Sequence, residues 1–272
     1  YGFRPMMWSD MFFRLANKGE YYCTESEIPQ SVIDLVPENV ELIYWDYYSR
    51  DKAHYDGMIR AHKQFRNNIV FAGGAMAWIG FAPNNRFGIE TCRAAVQSCM
   101  GNGIEDIFIT CWKDDGAECS LYGSLPALFC AAEAVRGNTD EGKIEKKFRR
   151  LTGADMRTFL AMDLLNLRGG EDGMNNPSKY MLYSDPFLGI FDRTAEGRSG
   201  EEFAEAKKAL AAGEKSARFG YIFKTLAALC DVMEIKYTLG IRTRTAYREK
   251  DKAGLEFLAG EYKELEKRLA KF

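Results

Sequence analysis

The chain is short of histidine, of net charge and of long apolar runs, and each shortage removes a class of function. Its two histidines, His54 and His62, lie eight apart on one predicted helix; they read as a solvated helix face, with no metal site and no cofactor expected. A net charge of −2 leaves no basic stripe for nucleic acid. No apolar stretch reaches the roughly 18–20 residues that cross a bilayer, so no membrane partner is expected. Seven cysteines, at positions 23, 92, 99, 111, 119, 130 and 230, form no CxxC pair and sit mostly among apolar neighbours. They read as reduced thiols packed as small hydrophobes, which points to a cytoplasmic protein. Tryptophan is also scarce, and here the scarcity is informative.

The four tryptophans each end an apolar run: RPMMW at Trp8, VELIYW at Trp45, IVFAGGAMAW at Trp78 and IFITCW at Trp112. They recur roughly 35 residues apart, the length of one strand–loop–helix unit of a parallel α/β protein. With 46% hydrophobic and 28% charged residues, the remainder of the chain has an ordinary globular balance. The repeat therefore carries the fold argument.

In order, strands are expected at 3–8, 40–46, 68–72 and 106–111, on their short apolar runs. Between them the pattern gives a polar-aromatic loop over 9–22, then helices at 31–35, 51–65, 89–100 and 124–135, with Pro126 tolerable in the first turn of the last. Four βα units are half of a (β/α)8 TIM-type barrel. The chain opens YGFRPMMW, with no methionine start and its first strand already begun, which reads as a fragment. Beyond Gly137 the character changes: residues 141–151, 154–167, 201–227 and 251–272 carry Leu, Ala and Phe at helical spacing among Lys and Glu. The fold class is thus α/β, a half-barrel over 1–137 followed by a mainly α-helical region over 138–272. Residues 169–185 are expected as an irregular loop holding Tyr180, Met181 and Tyr183. The stripe Leu255, Leu258, Tyr262, Leu265 and Leu269 marks an amphipathic last helix docked on a neighbour.

Barrel active sites lie at the C-terminal ends of the strands. Here those ends read Trp8-Ser9-Asp10, Tyr44-Trp45-Asp46-Tyr47-Tyr48, the run to Trp78, and Trp112-Lys113-Asp114-Asp115, with Glu118 close behind. Aromatic faces bind the apolar faces of a sugar ring and carboxylates accept from its hydroxyls, so the combination suits a monosaccharide pocket. The period of two places Tyr44 and Asp46 on one face of their strand and Trp45 on the other, packed between barrel and helix and outside the site.

The series WSD, YWD, a Trp-bearing strand-three loop and WKDDGAEC resembles the second half of the catalytic barrel of glycoside hydrolase family 20, the β-N-acetylhexosaminidases. The resemblance covers residues 3–136, and the helical remainder resembles the C-terminal appendage of some bacterial members. It implies an exo-acting hydrolase that removes terminal β-linked N-acetylglucosamine or N-acetylgalactosamine by a substrate-assisted, retaining route. The 2-acetamido oxygen attacks the anomeric carbon, a glutamic acid protonates the leaving oxygen and an adjacent aspartate orients the acetamido group; the family is an exception to the two-carboxylate scheme. Matched residue by residue, the resemblance makes Tyr44 the hydroxyl that holds the acetamido oxygen and Asp46 a ligand of sugar hydroxyls. Trp8 and Trp112 wall the acetamido pocket, and Trp78 lines it from its loop. The family's Trp-x-Glu is met by Trp112-x-Asp114, one methylene shorter, which leaves Asp114, Asp115 and Glu118 as alternatives for the 4- and 6-hydroxyls. Asp10 and Tyr48 are secondary candidates nearer the leaving group.

The family's catalytic Asp-Glu pair has no counterpart on a strand end of this chain. Asp140-Glu141 has the setting of a helix N-terminus, and Glu171-Asp172 is the reverse order in a glycine loop. The chain alone is therefore expected to be inert, with the acid pair supplied by a missing N-terminal half of the barrel. A half-barrel exposes two sheet edges, so a homodimer of the fragment is also expected. Two other readings remain open: a non-catalytic carbohydrate-binding or interaction module, and a barrel glycosidase of another family.

Overall fold

The computed structural model describes residues 2–113, 116–166 and 176–272. Its elements follow the chain as β1 (Met6–Trp8), α1 (Asp10–Ala16), α2 (Gln30–Ile33), β2 (Glu41–Trp45), α3 (Lys52–His62), β3 (Ile69–Gly74), α4 (Asn85–Gly101), β4 (Ile107–Thr110), α5 (Leu125–Val135) and α6 (Glu141–Thr152). Then come α7 (Met156–Leu160), α8 (Pro177–Tyr183), α9 (Glu201–Leu210), α10 (Gly220–Glu249) and α11 (Lys252–Lys271). The four strands form one parallel sheet in the order β1-β2-β3-β4. The fold is α/β, with strands and helices alternating as the tryptophan repeat implies.

The chain forms two compact units, and the division is not a single cut. The first holds residues 1–76, 86–112 and 127–144; the second holds 77–85, 113–126 and 145–272. In the first unit, Leu42, Tyr44, Ile69 and Phe71 of the sheet pack with Tyr55, Met58 and Ile59 of α3 and Ala95 and Cys99 of α4. Each fully buried aromatic or aliphatic side chain of this layer contributes about 1.5–3 kcal/mol. Asp51 caps α3 by accepting from Ala53 N at 2.8 Å, and Asp140 caps α6 by accepting from Lys143 N at 3.0 Å. The Asp140-Glu141 pair is thus a helix start, as its sequence setting implies.

Several expectations are corrected. Residues 10–16, expected within a loop, form α1: two turns are too short to display a period, and the helix is held by burial of Phe12 and Phe13. The pair of histidines is not a solvated face. His62 is fully buried between the rings of Phe13 and Tyr44, at 4.3 and 4.6 Å, and bonds Met58 O at 2.7 Å and Ser9 Oγ at 2.8 Å. Within the expected loop 169–185, residues 177–183 form α8; Asn176 caps it through Lys179 N at 3.1 Å and Pro177 opens it. Residues 167–175 lie outside the described residues.

In the second unit, the helix expected over 201–227 is two helices, α9 and the start of α10. The break falls around Gly213, where an added Cβ would lie 2.3 Å from the Phe223 ring. Helix α10 runs for 30 residues with buried side chains all round it, so it shows no single stripe. Against it, α11 buries Leu258 and Leu265, with Leu255 and Tyr262 partly covered, while Leu269 remains exposed. Among the described residues, no helix is long and apolar enough to cross a membrane. All seven cysteines are free thiols, five of them buried.

Candidate sugar-binding site

Parallel pairing puts registered residues on the same side of a sheet. Trp8 pairs with Ile43, Ile43 with Val70, Trp45 with Ala72, Ala72 with Phe108 and Gly74 with Thr110. One face of the sheet therefore carries Trp8, Ile43, Trp45, Val70, Ala72, Phe108 and Thr110. The other carries Leu42, Tyr44, Ile69 and Phe71, the layer under α3 and α4.

On the first face, the Trp8 ring lies 5.8 Å from that of Trp112 and 6.3 Å from that of Phe108. The two indoles, each 38% exposed, offer a continuous aromatic surface beyond the strand ends. Behind it is Tyr47, two residues past the strand, its ring stacked on Trp45 at 5.3 Å. The Tyr47 hydroxyl bonds the side chains of Trp112 and Thr110. An indole N–H only donates, and Thr110 Oγ1 gives its proton to Gly73 O at 3.0 Å. The Trp112 N–H thus donates to the Tyr47 oxygen. Burial pushes the Tyr47 hydroxyl up to about 12, against the opposing pull of those two bonds, so it stays protonated at neutral pH.

The turn that carries Tyr47 is fixed by Asp46. Its carboxylate is nearly inaccessible and accepts from Tyr44 O–H at 3.0 Å and from Tyr48 N at 3.2 Å. His54 Nε2 lies 2.7 Å from the same carboxylate. Tyr21 adds a second anchor, its hydroxyl donating to Trp45 O at 3.0 Å and accepting from Trp45 N at 3.3 Å.

The sequence-derived candidates therefore divide. Trp8 and Trp112 stand together. Tyr44 and Asp46 share a face, as the period of two requires, but it is the helix-facing one. Tyr44 is fully buried among Tyr55, His62 and Phe71, with its hydroxyl given to Asp46; burial, then the Asp46 charge, raises its pKa well above the ordinary value. The face assignment of β2 is reversed, and Trp45, set aside on sequence grounds, lies on the Trp8 side. Asp10 is in the first turn of α1, 3.5 Å from Arg14 Nε, and Tyr48 meets the Tyr47 ring edge-on at 5.7 Å. Trp78 and Glu118 belong to the second unit. There Glu118 pairs with Lys179 Nζ at 3.2 Å and accepts from Tyr183 O–H at 3.3 Å. Asp114 and Asp115 lie outside the described residues. Sequence reasoning missed Tyr47, Phe108 and Thr110; Phe108 and Thr110 share the face of Trp8 and Trp45 by register, and Tyr47 follows Trp45 at a spacing of two.

Residues 157–272 match the Glycoside Hydrolase 20C C-terminal domain. The match supports a glycoside hydrolase family 20 fragment. The matched residues lie beyond the residues 3–136 that carry the barrel resemblance. No curated protein matches the chain.

Proposed function

We propose that this chain is part of an exo-acting β-N-acetylhexosaminidase and supplies the second half of its (β/α)8 barrel. The observation that carries the reading is the paired indoles of Trp8 and Trp112 backed by the Tyr47 hydroxyl on one face of a parallel sheet, in a chain with a family 20 C-terminal domain. In this reading the indoles wall the acetamido pocket of a terminal N-acetylglucosamine or N-acetylgalactosamine. The acetamido-orienting role passes from Tyr44, which is enclosed, to Tyr47, whose O–H is given to the acetamido oxygen. That oxygen attacks the anomeric carbon, and the acid that protonates the leaving oxygen comes from the half-barrel outside this chain. Trp78 lines the sugar from its loop, Asp114 or Asp115 takes the outer hydroxyls, and Asp46 holds the turn that presents Tyr47. Asp10 and Tyr48 lie toward the leaving group. The enzyme works in the cytoplasm without a cofactor.

The test is hydrolysis of a chromogenic N-acetyl-β-glucosaminide by this chain and by the chain extended upstream through the missing strands. Turnover in the extended chain alone is the expected result. Silence in both, with the acid pair present, would sink the enzymatic reading.

A further inference from the structure

The second compact unit brings the segments that follow β3 and β4, residues 77–85 and 113–126, together with the helical region. The bonds that hold them are buried and polar. Asn166 Nδ2 donates to Pro83 O at 3.1 Å, and Asn176 Nδ2 donates to Asn166 Oδ1 at 2.9 Å. Gly80 sits so close to Asn176 that an added Cβ would lie 1.9 Å from its Nδ2. Asn85 joins the two segments to the helices: its N–H donates to Asp163 Oδ1 at 2.9 Å and its side-chain amide to Gly123 O at 3.0 Å. Asn85, Asn166 and Asn176 are each 1% exposed or less. In the strand-four segment, Glu118 is held from α8 by Lys179 and Tyr183, and Tyr183 also packs on Phe81 at 6.1 Å.

The strand-four segment is thus anchored on α8, and the strand-three segment on residues 161–166, which Asn176 at the start of α8 braces in turn. Loops that follow barrel strands shape the site, and loops not tied down are mobile. Buried amides and a part-buried ion pair confer geometry more than stability, because each bond needs one arrangement of its partners. We propose that α8 and the turn at 161–166 clamp both strand-end loops, with Asn176 and Lys179 as positioning residues for the sugar bound by Trp78 and its neighbours. Glu118 is then an anchor of its loop, not a sugar ligand. The clamp accounts for a helical region in a sugar hydrolase, and its link to the sugar rests on the glycosidase reading above.

The experiment compares Asn176→Ala, Lys179→Met and Lys179→Arg by two readouts. Amide exchange should quicken over 77–85 in Asn176→Ala and over 113–126 in Lys179→Met, with α10 and α11 unchanged, and return to the parent rate in Lys179→Arg, which restores the ion pair. Unchanged exchange in both loops overturns the clamp, whatever the enzyme does. In the upstream-extended chain, the two disruptive variants should raise KM for the chromogenic N-acetyl-β-glucosaminide about tenfold, with kcat within about threefold. Faster exchange with KM unmoved overturns the positioning role. If the unaltered extended chain is inactive, the glycosidase reading fails and exchange alone still decides the clamp.

Discussion

Tyr44 and Tyr47 differ by three positions and point to opposite sides of the sheet, so their hydroxyls answer to different tests. Tyr44→Phe removes a donor from the buried Asp46 carboxylate and should cost about 1–3 kcal/mol in urea unfolding. Tyr47→Phe should leave the fold within about 1 kcal/mol, because the bonds to Trp112 and Thr110 are its main loss, yet lower kcat about a hundredfold in the extended enzyme. Equal activity losses in the two variants would refute the exchange of roles. The alternation itself was legible in VELIYWDYYS; its direction was not, because both faces of β2 carry apolar or aromatic residues and only register with neighbouring strands separates them. His62 was misread for a related reason, since nothing in its helix says that Ser9 waits opposite. Burial lowers its pKa to about 4, so the folded chain keeps the imidazole neutral where the unfolded chain, titrating near 6.5, takes up a proton. The contribution is complete above pH 6.5 and is lost as pH falls toward 4, by up to about 3 kcal/mol. Thermal melts at pH 7.5 and 5 should show that slope in the parent and a shallower one in His62→Gln.

Among elements, the strands were the most readable, since a short apolar run leading to tryptophan recurs four times and each such run holds a strand. Short helices were not. Helix α1 has too few residues for periodicity to show, and α8 announces itself only through Asn176-Pro177, a cap and first-turn proline that composition alone drowns in a polar glycine-rich stretch. Helix α10 is hidden by the opposite cause, being covered on several sides so that its sequence lacks a polar face. Its packing sets a strict limit at Gly200, where an added Cβ would lie 2.1 Å from Glu234 O. Backbone cannot swing aside as a side chain does, so Gly200→Ala should destabilise the chain by about 1–3 kcal/mol in denaturant melts. A stability equal to the parent would mean that α9 and α10 approach less closely than described.

For the whole molecule, the edges of the sheet matter most. Strands β1 and β4 are its two margins among the described residues, and Met6, Trp8, Phe108 and Trp112 are all more than a third exposed. Unpaired edges beside apolar surface favour association, with the proposed complementary half-barrel or with a second copy. Sedimentation of the chain at micromolar concentration should show a concentration-dependent dimer; a monodisperse monomer would remove the motive. The interleaved division of the chain has another consequence, one of timing. During synthesis, residues 77–85 leave the ribosome about ninety residues ahead of α8, and at roughly 5–20 residues per second they wait several seconds for the asparagines that hold them. For that interval the segment after β3 exists without the groups that bond it. Slow codons or a chaperone near the segment encoding α8 would then change the yield of native protein more than the same delay placed within the sheet.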